Sequence, residues 1–93
     1  MATKKMKIIN KTPYKILKAI SERNNQYYSK IKRKTGFTMS TVFKIISDFE
    51  RLNFVSITKN GIYKLINMKV DGWSFLHALE DLKKMIGEND NNL

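Results

Sequence analysis

The densest chemistry in this chain is cationic: from Arg23 to Ser47 there are six Lys or Arg side chains and no Asp or Glu. Four of the six form one short run: Lys30, Lys32, Arg33 and Lys34. Ammonium and guanidinium groups at this density attract polyanions, and the counterions that they displace from phosphates make such binding strongly salt-dependent. The run predicts a surface that contacts a phosphate backbone, although an ordinary solvated helix face can carry the same charge.

A second group of polar side chains follows at helical spacing. Its members share one exposed face of a predicted helix: Ser40, Thr41, Lys44 and Ser47. In the DNA major groove, Lys reads guanine O6/N7 or binds a phosphate, and Ser and Thr bond a base or a backbone oxygen. Phe43, in the same stretch, either contacts a thymine methyl or packs under a neighbouring element. The alternative is a solvated helix face with no partner.

Residue types that perform catalysis or hold metals are scarce. The chain has no Cys and a single His, His77, and its eight acidic residues are scattered. A lone His is not a metal site, and we find no nucleophile paired with a base, no paired carboxylates and no Gly-rich phosphate loop. We expect no enzyme activity, no metal and no cofactor, and the residues indicate nothing about a small-molecule effector.

Length and charge set the broad class. With 93 residues the chain has room for one small core. The net charge of +10 is uneven, with 16 basic and 3 acidic residues in 1–69 but 2 and 5 in 70–93. This predicts a basic body for a polyanion and a last helix for protein contact. The apolar pair Ile8-Ile9 is too short for a signal peptide or membrane span, so we expect no membrane partner and a cytoplasmic location, on the nucleoid or in a host cell if the source is viral.

Helix signals divide the body of the chain. Thr12-Pro13 opens a first helix that ends near Glu22. Ser29 is expected to cap a second helix, residues 30–35, which Ile31 anchors and Gly36 ends. Thr38 is expected to cap a third helix, residues 39–52, before Asn53 ends it in a left-handed conformation. The predicted buried stripe of this third helix is Val42, Ile45, Ile46, Phe49 and Leu52.

A hairpin follows the third helix. The runs from Phe54 to Ile57 and from Ile62 to Ile66 flank Asn60-Gly61, which predicts a type I′ turn with both residues at positive φ. Lys59, Asn60 and Lys64 would then reach the minor groove or flanking phosphates, unless the turn has no function and the Lys residues only discourage edge pairing. The full set of candidate DNA-binding residues is Lys30, Lys32, Arg33, Lys34, Thr38, Ser40, Thr41, Phe43, Lys44, Ser47, Lys59, Asn60 and Lys64.

The last helix has a wide apolar arc. It is expected to start at Asp71-Gly72 and to run to about Ile86, before Gly87. Its arc covers about half the circumference, whereas packing on one core needs only about 100°. The surplus predicts a second subunit, and the candidate dimerisation residues are Phe75, Leu76, Leu79, Leu82, Met85 and Ile86.

These elements together predict an α+β, mostly α, winged helix-turn-helix with three helices, a hairpin wing and an added C-terminal helix. We divide the chain into a basic tail (1–11), the winged domain (12–69), the dimerisation helix (70–87) and a disordered polar tail (88–93). Three stretches carry a family resemblance: Ile16-Leu17-Lys18-Ala19-Ile20, Lys34-Thr35-Gly36-Phe37-Thr38, and Ser40-Thr41-Val42-Phe43-Lys44 leading to Phe49-Glu50-Arg51-Leu52-Asn53-Phe54-Val55.

On these stretches, residues 12–69 resemble small prokaryotic transcription regulators of the MarR and ArsR type, and look closest to compact winged-helix proteins of archaea, their plasmids and their viruses. Two positions depart from the pattern. Lys32 stands where the family usually has a small Ala facing inward, so the helix rotates or Lys32 extends outward. Asn53 replaces the usual Gly.

The resemblance implies a homodimeric, sequence-preferring, double-stranded DNA-binding protein and transcription regulator. Three alternatives remain open at this point. Net charge favours a sequence-neutral architectural protein, and winged helices also serve as protein-interaction modules. RNA or single-strand binding would depend on stacking by Tyr27 and Tyr28, which are otherwise expected to be one packed and one partly exposed ring.

Overall fold

The computed structural model describes residues 11–85. In chain order these form α1 (Lys11–Ser21), α2 (Tyr28–Thr35), α3 (Met39–Arg51), β1 (Val55–Asn60), β2 (Tyr63–Met68) and α4 (Val70–Met85). The two strands pair antiparallel as a hairpin. This confirms the predicted α+β, mostly helical architecture. Residues 1–10 and 86–93, including the candidate dimerisation residue Ile86, lie outside the described range.

One apolar core holds these elements together. Its α1 side is a stripe at helical spacing, Ile16, Leu17 and Ile20, none of which is exposed. Each other element adds buried side chains: Ile31 from α2, Val42, Ile46 and Phe49 from α3, Val55 and Ile66 from the hairpin, and Leu76 from α4. Burying a side chain of this size contributes about 1.5–3 kcal/mol. The core therefore fixes how α3 and the hairpin lie relative to each other.

The turn between α2 and α3 follows its local sequence. Gly36 takes φ 78°, and its N–H donates to the Lys32 carbonyl at 2.8 Å, which closes α2. Thr38 then caps α3, because its hydroxyl oxygen accepts the backbone N–H of Thr41 at 3.3 Å. Asn53 adopts φ 67° just beyond α3. All three predictions at these positions are confirmed.

Two predicted caps were wrong. Thr12 lies inside α1, which already includes Lys11. Ser29 lies in the first turn of α2, whose N-cap position is Tyr27 and has no side-chain cap. The Tyr27 carbonyl accepts the N–H groups of Lys30 and Ile31 at 3.0 and 3.2 Å. The second helix therefore starts two residues earlier than the cap chemistry of Ser29 indicates.

Two details of the third helix and the hairpin also differ from prediction. Leu52 is 56% exposed rather than buried, because α3 ends at Arg51 and the chain turns away at Asn53. Asn60 belongs to β1 and pairs with Tyr63, so the central turn residues are Gly61 and Ile62. Of these only Gly61 has positive φ, 66°, which matches a type II′ rather than a type I′ turn.

The first turn of α4 packs tightly on the segment that follows α3. The Phe54 carbonyl accepts the Lys69 N–H at 2.9 Å and lies against Gly72, where a Cβ atom would collide with it. The ring of Phe75 stacks on Phe54 with centroids 4.6 Å apart, and Leu76 is only 2% exposed. Leu76 was therefore wrongly assigned to the dimer face, because the core of its own chain buries it.

Candidate nucleic-acid interface

The start of α3 is organised by hydroxyl groups. The Thr38 hydroxyl donates to Thr41 Oγ1 at 3.0 Å and lies 3.3 Å from Ser40 Oγ. Thr41 is half-buried, whereas Ser40 is exposed. These three hydroxyls, which the sequence predicts to contact DNA, are thus hydrogen-bonded to one another at the start of the helix. Of the two hydroxyl residues inside the first turn of α3, Ser40 is the exposed one.

The exposed face of α3 continues with Phe43, Lys44 and Ser47. The Phe43 ring is 49% exposed and packs against the Tyr28 ring of α2, with centroids 4.6 Å apart. The packing of Phe43 under a neighbouring element is therefore confirmed for one side of the ring. The contact with a thymine methyl stays a prediction, which the exposed side of the ring allows. Lys44 and Ser47 project from the same helix with no ion pair within the described residues.

The hairpin places two cations side by side. Lys59 and Lys64 are direct partners in the β-ladder. They lie on the face that begins in the core with the pairs Val55–Met68 and Ile57–Ile66, because side chains alternate along a strand. Like charges directly opposite each other destabilise a hairpin unless an anion compensates them. The pair is therefore suited to a phosphate.

An open depression of about 400 Å³ connects the hairpin with α3. Its lining residues come from α2, α3 and both strands of the hairpin: Tyr28, Phe43, Ser47, Glu50, Ile57, Lys59 and Lys64. The exposed face of α3 and the Lys59–Lys64 pair thus belong to one surface. Burial raises the pKa of the Tyr28 phenol, and the Glu50 carboxylate adds to this, so the phenol stays protonated at neutral pH.

The basic run of α2 divides into two parts. Lys30, Lys32 and Arg33 are exposed, and Ile31 is the buried residue of that turn. Lys32 therefore points outward. The small inward-facing Ala that the family usually has at this position is not required here. Lys34 differs, because its ammonium forms an ion pair with Glu22 at 2.7 Å and donates to the carbonyl of Ala19 and to Gln26 Oε1. The Lys34 ammonium is thus engaged within the fold, unlike those side chains of the run that are exposed and unpaired among the described residues.

Sequence reasoning missed two exposed side chains beside this surface, Tyr63 and Ile62, and expected one partly exposed ring at Tyr27 or Tyr28. Tyr27 is 44% exposed and contacts Tyr63, 56% exposed, at a centroid distance of 5.3 Å. Ile62, at the hairpin tip, is 89% exposed. Together with Phe43 and Lys64 they line a second shallow depression. The alternation of side chains along the hairpin predicts only that Tyr63 and Ile62 point in different directions. It does not predict that they lie beside Tyr27 and Phe43.

Other kinds of site find little support in residues 11–85. Within that range no three His, Cys, Asp or Glu side chains cluster as metal ligands would. His77 instead lies beside the Trp73 ring, with centroids 6.1 Å apart. None of the described helices combines the length and apolarity that a bilayer span requires.

Comparison with solved structures identifies the architecture. AF1382 from Archaeoglobus fulgidus superposes with a TM-score of 0.75 over 89% of this chain and 97% of its own, at 23% identity. The PcaV transcriptional regulator from Streptomyces coelicolor, solved with its natural ligand, gives a TM-score of 0.79 at 16% identity and covers 90% of this chain. The fold is a winged helix-turn-helix. In this winged helix-turn-helix α2 and α3 form the helix-turn-helix and β1–β2 is the wing.

The neighbours differ in how much of their own chain the superposition covers. Sso10a-2, a DNA-binding protein from Sulfolobus solfataricus, has a TM-score of 0.74 at 11% identity, and 82% of its chain is covered. Only 62% of the PcaV chain is covered. No protein-family model matches the winged helix-turn-helix chain, and no curated protein matches it in sequence. At these identities the likeness establishes the fold.

Proposed function

We propose that this chain is a homodimeric transcription regulator that binds double-stranded DNA with sequence preference. In this proposal α3 enters the major groove, while α2 and the wing hold the flanking phosphates. The observation that carries it is the shared surface of α3 and the wing, where Ser47 of α3 and the Lys59–Lys64 pair line one depression. A helix that reads base edges and a cationic hairpin beside it match the two kinds of contact that duplex recognition needs.

The distribution of charge supports a polyanion as the partner. Among the described residues, the surface formed by Phe43, Ser47, Lys59 and Lys64 has one acidic lining residue, Glu50, near the C-terminal end of α3. The N-terminal half of α3 has no acidic residue. Side chains in this half of a recognition helix reach the bases. Ser40 and Lys44 are therefore the proposed base-contacting residues.

The homodimer is proposed from α4. This helix packs on α1 through Glu80, whose carboxylate accepts from Lys18 at 2.9 Å and from Tyr14 at 3.3 Å. Leu79 and Leu82 are half-buried, and Met85 is 79% exposed. A helix with this much uncovered apolar surface favours a partner. A second copy of α4 provides the matching surface, and a two-fold dimer would read half-sites about one helical turn apart.

The test is selection from a random-sequence duplex library at two salt concentrations, with the mass of the bound species measured by light scattering. Enrichment of a pseudo-palindrome bound by two chains supports the proposal. A Met85→Lys variant should shift the mass toward a single chain, because it places a charge in the proposed apolar contact. The matched control Lys84→Ala alters an exposed neighbour and should leave the dimer intact.

A sequence-neutral architectural role is the second candidate. It is favoured by the hydroxyls of Thr38 and Thr41, which are engaged in the α3 cap and leave few groups to discriminate bases. Competition with excess nonspecific duplex separates the two roles. A regulator keeps its selected site under this competition, whereas an architectural protein loses it in proportion to the competitor.

A further inference from the structure

The wing tip carries an apolar side chain that neither turn chemistry nor burial explains. Ile62 is the second central residue of the turn and is 89% exposed. Tight turns favour Gly, Asn, Asp, Ser and Pro, each for a backbone reason that a β-branched side chain does not share. An isolated exposed apolar residue needs no explanation by itself. Ile62, however, lies at the end of a hairpin that carries two opposed Lys side chains.

The tip is held rigidly with respect to the helices. The loop has only two residues, and the ladder is paired up to Asn60 and Tyr63 at its base. The Tyr63 ring contacts Tyr27, the residue that precedes α2, at 5.3 Å. Further along β2, Ile66 exchanges backbone hydrogen bonds with Gln26. The wing is thus tied to the helix-turn-helix at two points, so the direction of Ile62 is preorganised.

Cations flank this tip. Lys59 and Lys64 form the ladder pair immediately behind Asn60 and Tyr63, and both are exposed. In a duplex, phosphates line both edges of the minor groove, while its floor exposes stacked base pairs. A narrow hairpin with an apolar end and two cations behind it is complementary to that arrangement. Proteins that insert Ile, Leu or Phe between base steps from the minor groove unstack them and kink the duplex.

We propose that Ile62 is a wedge that inserts between base pairs from the minor groove beside the α3 site, with Lys59 and Lys64 on the bordering phosphates. This inference rests on the proposed DNA-binding function and deepens it. The bound duplex would be bent at the wing contact. Flexible pyrimidine–purine steps would be preferred there, because they unstack at the lowest cost.

The bend is measured by energy transfer between dyes at the two ends of a duplex that carries the selected site. A second duplex carries 2-aminopurine at the step under the wing, because its fluorescence rises when the base is unstacked. The wild type should bend the duplex by at least about 20° and raise the fluorescence. Ile62→Thr should lose both effects, and Ile62→Val, which stays apolar and β-branched, should retain most of them.

Val70→Thr is the matched control, since Val70 is another exposed β-branched side chain, 79% exposed, at the start of α4. It should bend DNA as the wild type does. An Ile62→Thr variant that bends and unstacks DNA like Val70→Thr overturns the wedge. A shift in oligomer mass with Ile62→Thr would assign the side chain to contact between copies and also overturn it. Binding to the duplex is recorded in the same samples, so failure of the wild type to bind removes the proposed function itself, whereas binding without a bend removes only the wedge.

Discussion

Gln26 and Ile66 form an antiparallel β-bridge that joins the α1–α2 connection to the edge of the wing. The Ile66 N–H donates a hydrogen bond to the Gln26 carbonyl at 2.8 Å, and the Gln26 N–H donates one to the Ile66 carbonyl at 3.2 Å. The Gln26 side chain is buried, and its Nε2 donates to the carbonyls of Ala19 and Ile20 at 2.7 and 3.1 Å. Gln26 therefore donates hydrogen bonds to carbonyls at the end of α1 through its side chain and positions the wing beside the helices through its backbone.

Replacement of Gln26 by Leu should destabilise the fold. The variant keeps the volume but removes the Gln26 amide donor. The Ala19 carbonyl keeps the Lys34 ammonium as a donor, whereas the Ile20 carbonyl loses a buried side-chain hydrogen bond, which costs about 1–3 kcal/mol. Urea denaturation measures the change in the free energy of unfolding. Asn24→Ala, in the exposed part of the same connection, is the control and should change it little. Equal stabilities for the two variants would contradict a structural role for the Gln26 amide.

Gly72→Ala should weaken the attachment of α4. A Cβ atom at this position collides with the Phe54 carbonyl, and backbone on both sides must shift to relieve it. Overpacking of this kind costs about 1–3 kcal/mol, more than the gain in helix propensity from Ala. Thermal unfolding provides the measurement, with Ser74→Ala on the exposed side of α4 as the control. An unchanged melting temperature for Gly72→Ala would show that α4 is not held by this contact.

Loss of one Lys from the wing pair should affect DNA binding and stability in opposite directions. Lys59→Ala or Lys64→Ala should reduce the slope of log affinity against log salt by about 0.9 if each contacts one phosphate. The same change removes a repulsion between opposed charges and should stabilise the free protein by roughly 0.5 kcal/mol. Fluorescence anisotropy across a salt series and urea denaturation measure the two effects.

The control for the wing variants is Lys15→Ala, which removes the same charge from the exposed face of α1. Lys15 lies beside Lys18 and Glu22, on a depression that shares no residue with the α3–wing surface. A salt slope that falls equally in Lys15→Ala would mean that only the net charge matters. The wing would then have no specific phosphate contact.

The contact between α1 and α4 should give the stability a pH dependence in the acid range. The hydrogen bond and charge of Lys18 hold the pKa of the Glu80 carboxyl below its usual value. Because the folded pKa is the lower one, this stabilisation is present above the unfolded Glu pKa of about 4.3 and is lost as pH falls through the folded value. The pair is partly exposed, so we expect at most about 1 kcal/mol.

Urea midpoints between neutral pH and about pH 3 test this expectation, since that window spans the titration of Glu carboxyls. Glu80→Gln should lose less stability on acidification than the wild type does. Asp81→Asn, which removes an exposed carboxylate one residue along α4, should follow the wild-type curve. Parallel curves for the wild type and Glu80→Gln would show that the Lys18–Glu80 pair contributes nothing in solution.

Local backbone requirements were readable from the sequence where one residue type satisfies them. Gly36 and Asn53 adopt the left-handed conformation, which Gly tolerates because it has no Cβ atom and Asn tolerates better than most residues. Thr38 caps α3 because its hydroxyl accepts a backbone N–H of the first turn. Buried stripes were readable for α1 and for most of α3, since a period of 3.6 residues places Val42, Ile46 and Phe49 on one face.

Predictions were wrong where a distant contact overrode the local signal. Ser29 has good cap chemistry, but the chain enters α2 from Tyr27, next to the bridge between Gln26 and Ile66. Leu76 fits the surplus arc of α4, yet it fills the core. Lys34 sits in a cationic run, but Glu22, twelve residues earlier, takes its ammonium. A periodic pattern relates residues a few positions apart, so it does not predict contacts with residues this distant in the chain.

The sequence by itself determined the order of the elements, the helix-turn-helix signature, the cationic character of the body and the lack of obvious catalytic groups. These follow from short-range sterics, hydrogen bonding and composition, which each segment carries on its own. Only the tertiary structure decided which cations remain free for a phosphate, that Lys59 and Lys64 share a surface with α3, and that Ile62 ends a braced hairpin. Such relations depend on packing between residues far apart in the chain, and packing is settled by the whole core at once.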